Sequence, residues 1–378
     1  MSKSKLNKSA KTNYGIETEN YIKFHEKIPL TSKEQTVFYG LVKFPELNDQ
    51  KLSRKLKIKR STVTAIRNKL RRQNFYKPIA IPHFKLLGCE LMTIIWGRSS
   101  NPAPLKEKMK IPAIRRAMQA PETVFQIATD NEFFALLIFK NFTEFKKMEG
   151  EHMQVYKKYS GEERNVNIVH FPFETSEIIS LFDYSSILEK LLKIEFRDER
   201  RQQKSKISKP QIKLKEKEKT VLGALIKYPE LNDKEIAEKI NTTRQTFSKI
   251  KSRLIKQGAI RPVNEPNFNK IGCELFVNMH IRFNALINPD KRMLLLKKSK
   301  EKCPVMFDVE SSTEELCFGI FEDYLSFKIA QDALEKVYKQ NNLLLKEHVT
   351  MVIPLQQIKF QKSDFISITE KALNTKIK

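Results

Sequence analysis

Glycine is scarce in this 378-residue chain, ten in all. None of them falls in a GxxxxGK[ST] loop or a GxGxxG turn, which removes two common backbone cradles for nucleotide phosphates. A GxSxG nucleophile elbow is absent as well. The four cysteines, Cys89, Cys273, Cys303 and Cys317, form no CxxC pair, and the six histidines are scattered, so the spacing supports neither a zinc site nor a disulfide framework. Cys89 and Cys273 share a GCEL context ahead of an apolar stretch, where a small buried thiol is expected. No run of eighteen apolar residues occurs, and the N-terminal MSKSKLNKSAKTN has cations without the apolar segment of a signal peptide. These absences predict a cytoplasmic protein with no cofactor, no metal and no membrane contact. They give catalysis no foothold, and the chain reads as a non-enzyme.

Acidic residues are also in short supply. Lysine and arginine number 70 against 44 aspartates and glutamates, a formal net charge of +26. A folded protein with that excess needs an acidic partner, for which nucleic acid is the first candidate and an anionic membrane surface the second. The abundance of lysine, isoleucine and phenylalanine suits an AT-rich prokaryotic genome, an archaeal one included.

What the chain does have is an internal repeat. Phe44–Leu91 overlays Tyr228–Leu275 without a gap at a constant offset of 184, matching Pro45/Pro229, Asn48/Asn232, Asp49/Asp233, Arg60/Arg244, Leu70/Leu254, Pro78/Pro262 and Gly88/Gly272. Downstream the match is weaker, with Tyr156 meeting Tyr338 at an offset of 182. Two units follow, joined by a segment rich in lysine, arginine and glutamate.

Each unit opens with three helices. Thr31 and Glu34 have capping-box spacing ahead of Val37, Phe38, Leu41 and Val42, and Pro45 stops that helix. The matching helix of the second unit carries Val221, Leu222, Leu225 and Ile226 up to Pro229. A short second helix is expected over 49–57 and 233–240, where Asn232 and Glu235 again have capping-box spacing, and a longer third over 60–73 and 244–257. That is the helix-turn-helix arrangement. Placing Val63, Ile66 and Leu70 inward phases the third helix so that Ser61, Thr64, Ala65, Asn68 and Arg72 face outward. In the second unit Phe247, Ile250 and Leu254 are inward, and Gln245, Ser248, Lys249, Ser252 and Lys256 outward. Short polar and methyl-bearing side chains reach base edges while cations hold phosphates, so this face reads as a recognition surface. Lys59, Arg60, Arg71, Arg72, Arg244, Lys251, Arg253 and Lys256 are the expected phosphate contacts.

Extended pieces with Pro78/Pro262 and Pro82/Pro266 then lead into a strand, helix, strand, strand, helix, strand order. Strands are expected near 90–97, 123–129, 133–140 and 164–172, and near 274–283, 304–309, 314–321 and 346–354. Helices are expected near 104–118, 142–158, 289–299 and 324–340. A split βαβ repeat makes an antiparallel sheet with both helices on one face, and its bare face needs a second sheet. Trp96, Phe134 and Phe145 read as core.

The fold class is thus α+β: two tandem units, each a winged helix-turn-helix followed by a βαββαβ (ferredoxin-like) sandwich. The boundaries read as a basic tail 1–29, winged helix-turn-helix 30–82, sandwich 83–175, helix and charged linker 176–217, winged helix-turn-helix 218–266, sandwich 267–358, and C-terminal helix or tail 359–378.

HFKLLGCELMTIIW and NFNKIGCELFVNMHI, with the helices ahead of them, resemble the Lrp/AsnC family of feast/famine regulators over most of 31–175 and 215–355. That family carries one unit per chain and dimerises through its sandwiches, so the resemblance implies a dimer fused into one chain with its two sheets packed together. It implies a double-stranded DNA-binding, nucleoid-associated transcription regulator, with the basal transcription machinery and a second copy as further partners. Effector-binding members have a glycine-containing turn between the second and third sandwich strands; here the turns read ATDNEFF and ESSTEEL, which argues against a small-molecule effector. A sequence-tolerant architectural DNA-binding protein and, from another class, a nucleic-acid-processing enzyme are the competing readings.

Overall fold

The structure, a computed structural model, describes residues 29–99, 101, 103–160, 166–194, 213–300 and 303–376. The basic tail expected over 1–29, save its last residue, and the middle of the charged linker lie outside the described residues.

The first unit runs α1 (Ser32–Lys43), α2 (Asp49–Leu56), α3 (Arg60–Arg72), β1 (Tyr76–Pro82), β2 (Leu91–Arg98), α4 (Leu105–Lys108), α5 (Pro112–Met118), β3 (Thr123–Ala128), β4 (Glu132–Phe139), α6 (Phe142–Ser160), β5 (Val166–Pro172), β6 (Glu177–Leu181) and α7 (Ser185–Leu191). The second runs α8 (Glu216–Lys227), α9 (Asp233–Lys239), α10 (Arg244–Lys256), β7 (Ile260–Pro266), α11 (Phe268–Ile271), β8 (Leu275–Arg282), α12 (Pro289–Lys300), β9 (Val305–Glu310), β10 (Glu314–Phe321), α13 (Tyr324–Gln340), β11 (Val349–Pro354), β12 (Phe360–Ser363) and α14 (Ile366–Leu373).

Local chemistry sets these boundaries. Thr31 Oγ1 accepts from the Glu34 amide while Glu34 Oε2 accepts from the Thr31 amide, closing the capping box of α1. Asn232 and Glu235 do the same for α9. Gly88 and Gly272, the glycines of the two GCEL segments, sit at φ of +84° and +87°, a left-handed turn that carries the chain from the linker into the sheet. Among the described residues no helix is long and apolar enough to cross a membrane.

Two antiparallel five-stranded sheets form, in the orders β12-β3-β4-β2-β5 and β11-β8-β10-β9-β6. Alternation along each strand divides its side chains between two cores. Met92, Ile94, Trp96, Phe134 and Leu136 of the first sheet face Phe276, Phe307, Leu316 and Phe318 of the second. The opposite faces carry Leu91, Leu137 and Phe139 against Phe145 and Met148 of α6, and Val277, Met279 and Cys317 against Phe327 and Leu334 of α13. The bare face of each sheet is therefore covered by the other, and Trp96 meets His280, its repeat equivalent, edge-on at 5.5 Å. All four cysteines are buried, and burial pushes the Cys89 thiol up to about 12. Gly319 lies at a β-bulge of β10, where an added Cβ would fall 2.2 Å from the Pro304 carbonyl oxygen.

Three exchanges tie the units together. Each sheet takes its edge strand from the other half of the chain: β6 pairs with β9, and β12 with β3. The extended piece after each third helix likewise pairs across, β1 with β7, with Ile79 opposite Val263. Those two residues are 184 apart, so a pseudo-twofold axis passes through the centre of the ribbon. Asn264 Nδ2 donates 2.8 Å to the Leu41 carbonyl from this ribbon, fixing it against α1.

Candidate nucleic-acid interface

The third helix of each unit, α3 and α10, is held by the same polar brace, copied at the repeat offset. Asp49 Oδ2 accepts from Thr64 Oγ1 at 2.6 Å and Asp49 Oδ1 lies 2.6 Å from Arg67 Nε. In the second unit Asp233 Oδ2 accepts from Ser248 Oγ at 2.9 Å and Oδ1 from Lys251 Nζ at 2.7 Å. A second link runs to the first helix, Lys69 to Glu34 at 2.5 Å and Arg253 to Glu218. The Lys69 hydrogen bond, with the Thr31 amide, holds the Glu34 carboxyl below its ordinary pKa. Burial works to raise the Asp233 carboxyl, and Lys251 and Ser248 override it, so it too stays low. These charged braces tie the third helix of each helix-turn-helix to the second and to the first.

That geometry revises part of the expected surface. Thr64 and Ser248 are half-buried and spend their hydroxyls on the second helix, and Lys251 is drawn into the same brace, because 100° per residue places all three on the flank rather than the crest. Arg253 is exposed but ion-paired with buried Glu218. Arg71 is exposed and reaches across the pseudo-twofold, donating 2.6 Å to the Glu230 carbonyl. Arg72 is exposed, its Nε lying 3.4 Å from the Asn68 carbonyl of its own helix. The crest that remains exposed comprises Lys59, Arg60, Ser61, Ala65 and Asn68 in the first unit. In the second it is Arg244, Gln245, Lys249, Ser252 and Lys256.

Sequence reasoning missed three exposed cations of the first helix-turn-helix, Lys51 and Arg54 on α2 and Lys57 in the turn that follows. Comparing the two copies for charge, not only for identity, would have found them. An open cleft of about 410 Å³ is lined by Asn48, Asp49, Gln50, Arg60 and Arg67.

The glycine-free turns of the sandwiches are braced from within. Lys108, buried at the end of α4, donates 2.7 Å to the Asp130 carbonyl. Buried Arg292 of α12 donates to the Ser312 carbonyl at 2.9 Å, pairs with Glu310 and stacks over the Phe283 ring. Each turn thus has a cation of the chain itself on its carbonyls.

No protein-family profile and no curated protein matches the sequence. Among solved structures, the siroheme decarboxylase NirDL in complex with an iron-uroporphyrin III analogue superposes with a TM-score of 0.50 at 9% identity, over 91% of this chain and 96% of that one. A second NirDL structure gives 0.49 at 11% identity, over 90% and 98%. A transcriptional regulatory protein of the AsnC family from Pyrococcus furiosus gives 0.28 at 19% identity, over 38% of this chain and 90% of that one. The first likeness places the fold, end to end, on a scaffold that carries an enzyme. It overturns the expectation of a non-enzyme, which rested on missing phosphate loops and nucleophile elbows. Those are signatures of other chemistries and of other folds, and fold does not settle function.

Proposed function

We propose that, on this scaffold, the chain is a sequence-specific double-stranded DNA-binding transcription regulator that works as an intramolecular pseudo-dimer. The observation that carries the reading is the pair of braced third helices with exposed, basic and hydrogen-bonding crests, related through the pseudo-twofold of the β1–β7 ribbon. Rigid helices with that chemistry suit the major groove, where Asn and Gln pair with adenine and cations hold the flanking phosphates.

The crests differ at matched positions, Ser61/Gln245, Ala65/Lys249 and Asn68/Ser252, so the two half-sites differ as well. Fusion removes the concentration cost of pairing, because the second helix is held near its half-site once the first has bound.

Selection of bound fragments from a random duplex library tests the reading, followed by Asn68→Ala and Gln245→Ala on the selected site. Each substitution is expected to relax discrimination at a single base pair by about 1–3 kcal/mol. No enrichment of any sequence would favour an architectural protein. Binding of an iron tetrapyrrole without any binding of duplex would sink the reading.

A further inference from the structure

The two helix-turn-helix heads match residue for residue, yet their charge does not. Between Ser32 and Pro82 thirteen lysines and arginines stand against three acidic residues, while the equivalent span, Glu216–Pro266, has eleven against seven. The difference is concentrated where the first helix of the motif crosses the DNA backbone. On α2 the exposed positions Gln50, Lys51 and Arg54 become Lys234, Glu235 and Glu238 on α9, and in the following turn Lys57 and Lys59 become Asn241 and Thr243. Leu52, Ser53 and Leu56 bury the other side of α2, so Lys51 and Arg54 share one solvent face.

Lys51 also violates a local rule. It occupies N3 of its helix, where the macrodipole and the capping box both favour an acid. The second copy obeys: Glu235 Oε2 accepts from the Asn232 amide at 2.9 Å. In the first copy Asn48 caps the Lys51 amide and nothing is returned to the Asn48 amide by the lysine. A residue that weakens its own helix at an exposed position is accounted for when an anion is to lie beside it.

We infer that the two heads are unequal: the first grips duplex phosphates through Lys51, Arg54, Lys57 and Lys59, and the second, with Glu235 and Glu238 on the matching face, reads its half-site without that grip. This inference rests on the duplex-binding reading above. One half-site is then strong and one weak, and the protein is oriented on DNA by charge as well as by base contacts.

The test uses the full chain on a 30-base-pair duplex carrying its selected site, between 50 and 200 mM salt, with thermal melting of every variant. Lys51→Glu rebuilds the capping box, so it is expected to hold or raise the melting temperature while weakening binding several-fold. Lys51→Glu with Arg54→Glu is expected to weaken binding by tenfold or more and to flatten the salt slope by about 2, since each lost phosphate contact removes about 0.9. Glu238→Arg in the second head is expected to tighten binding and steepen the slope by about 1. The inference is overturned if the double variant folds and binds like the wild type, or if Glu238→Arg in the second head leaves both the affinity and the salt slope unchanged. A wild-type chain that binds no duplex overturns the duplex reading itself and this inference with it.

Discussion

Raising the salt from 50 to 200 mM is expected to weaken duplex binding by about 10³-fold. Six exposed cations are placed for phosphates, Lys51, Arg54, Lys57 and Lys59 in the first head and Arg244 and Lys256 in the second. If six phosphates are neutralised, log K against log salt has a slope of about −5, because each contact releases close to one condensed counterion. A fourfold rise in salt then lowers the constant by roughly the fifth power of four. Fluorescence anisotropy on a labelled duplex at four salt concentrations measures it. A flat dependence would remove the electrostatic half of the account, since binding through the sandwiches or by apolar contact would be nearly indifferent to salt.

Truncating Phe318 is expected to cost about 3–5 kcal/mol, the range for emptying a fully buried aromatic site. Phe318 stands on the inner face of β10 at 0% exposure. Its ring is 4.6 Å from Phe307 and 5.6 Å from Phe276 of its own sheet, and 4.9 Å from Phe134 and 5.5 Å from Phe125 of the other. No single neighbour can swing in to fill the void without abandoning the opposite sheet. Phe318→Ala therefore tests whether the two halves share one core: denaturant unfolding should show a lower midpoint for both sandwiches together. A loss under 1 kcal/mol, or a shift confined to one of two separate transitions, would mean that the sheets do not pack face to face.

The elements that were legible in the sequence owe this to strong local signals. The capping boxes at Thr31 and Asn232, the 3.6-residue stripe of Val63, Ile66 and Leu70, and the alternation through LMTIIW each name their own secondary structure, and the repeat doubles every one of them. The facing sheets followed from burial logic alone, since a sheet with helices on one side cannot leave Phe134 or Phe276 in water.

The exchanged strands were not legible. β6 and β12 are short, only partly buried and separated from their partner strands by more than a hundred residues, so no turn or periodicity announces them. One signal was present: Asp183-Tyr184-Ser185-Ser186-Ile187 and Asp364-Phe365-Ile366-Ser367-Ile368, with Glu189-Lys190 and Glu370-Lys371 after them, continue the repeat at an offset of 181. The drift of the offset from 184 through 182 to 181 hid it. In the structure these segments are α7 and α14 with their leading turns. Asp183 and Asp364 each accept an amide two residues on, and Lys371 reaches Glu122 of the first half at 2.6 Å. On the crests, periodicity gave the right face but could not foresee that Thr64 and Ser248 turn to Asp49 and Asp233. A hydroxyl on the flank takes the nearest carboxylate when one is held 2.6–2.9 Å away.

On the proposed reading, one chain places two different recognition helices on one duplex. Hydroxyl-radical footprinting of the intact protein on its selected site, with the mass of the complex measured in the same buffer, tests this most directly. The account predicts one chain per site and an asymmetric pattern, two protected stretches on one face of the duplex about 34 Å apart, one helical turn. A perfect palindrome, bound by two chains that each engage only one type of recognition helix, would contradict it.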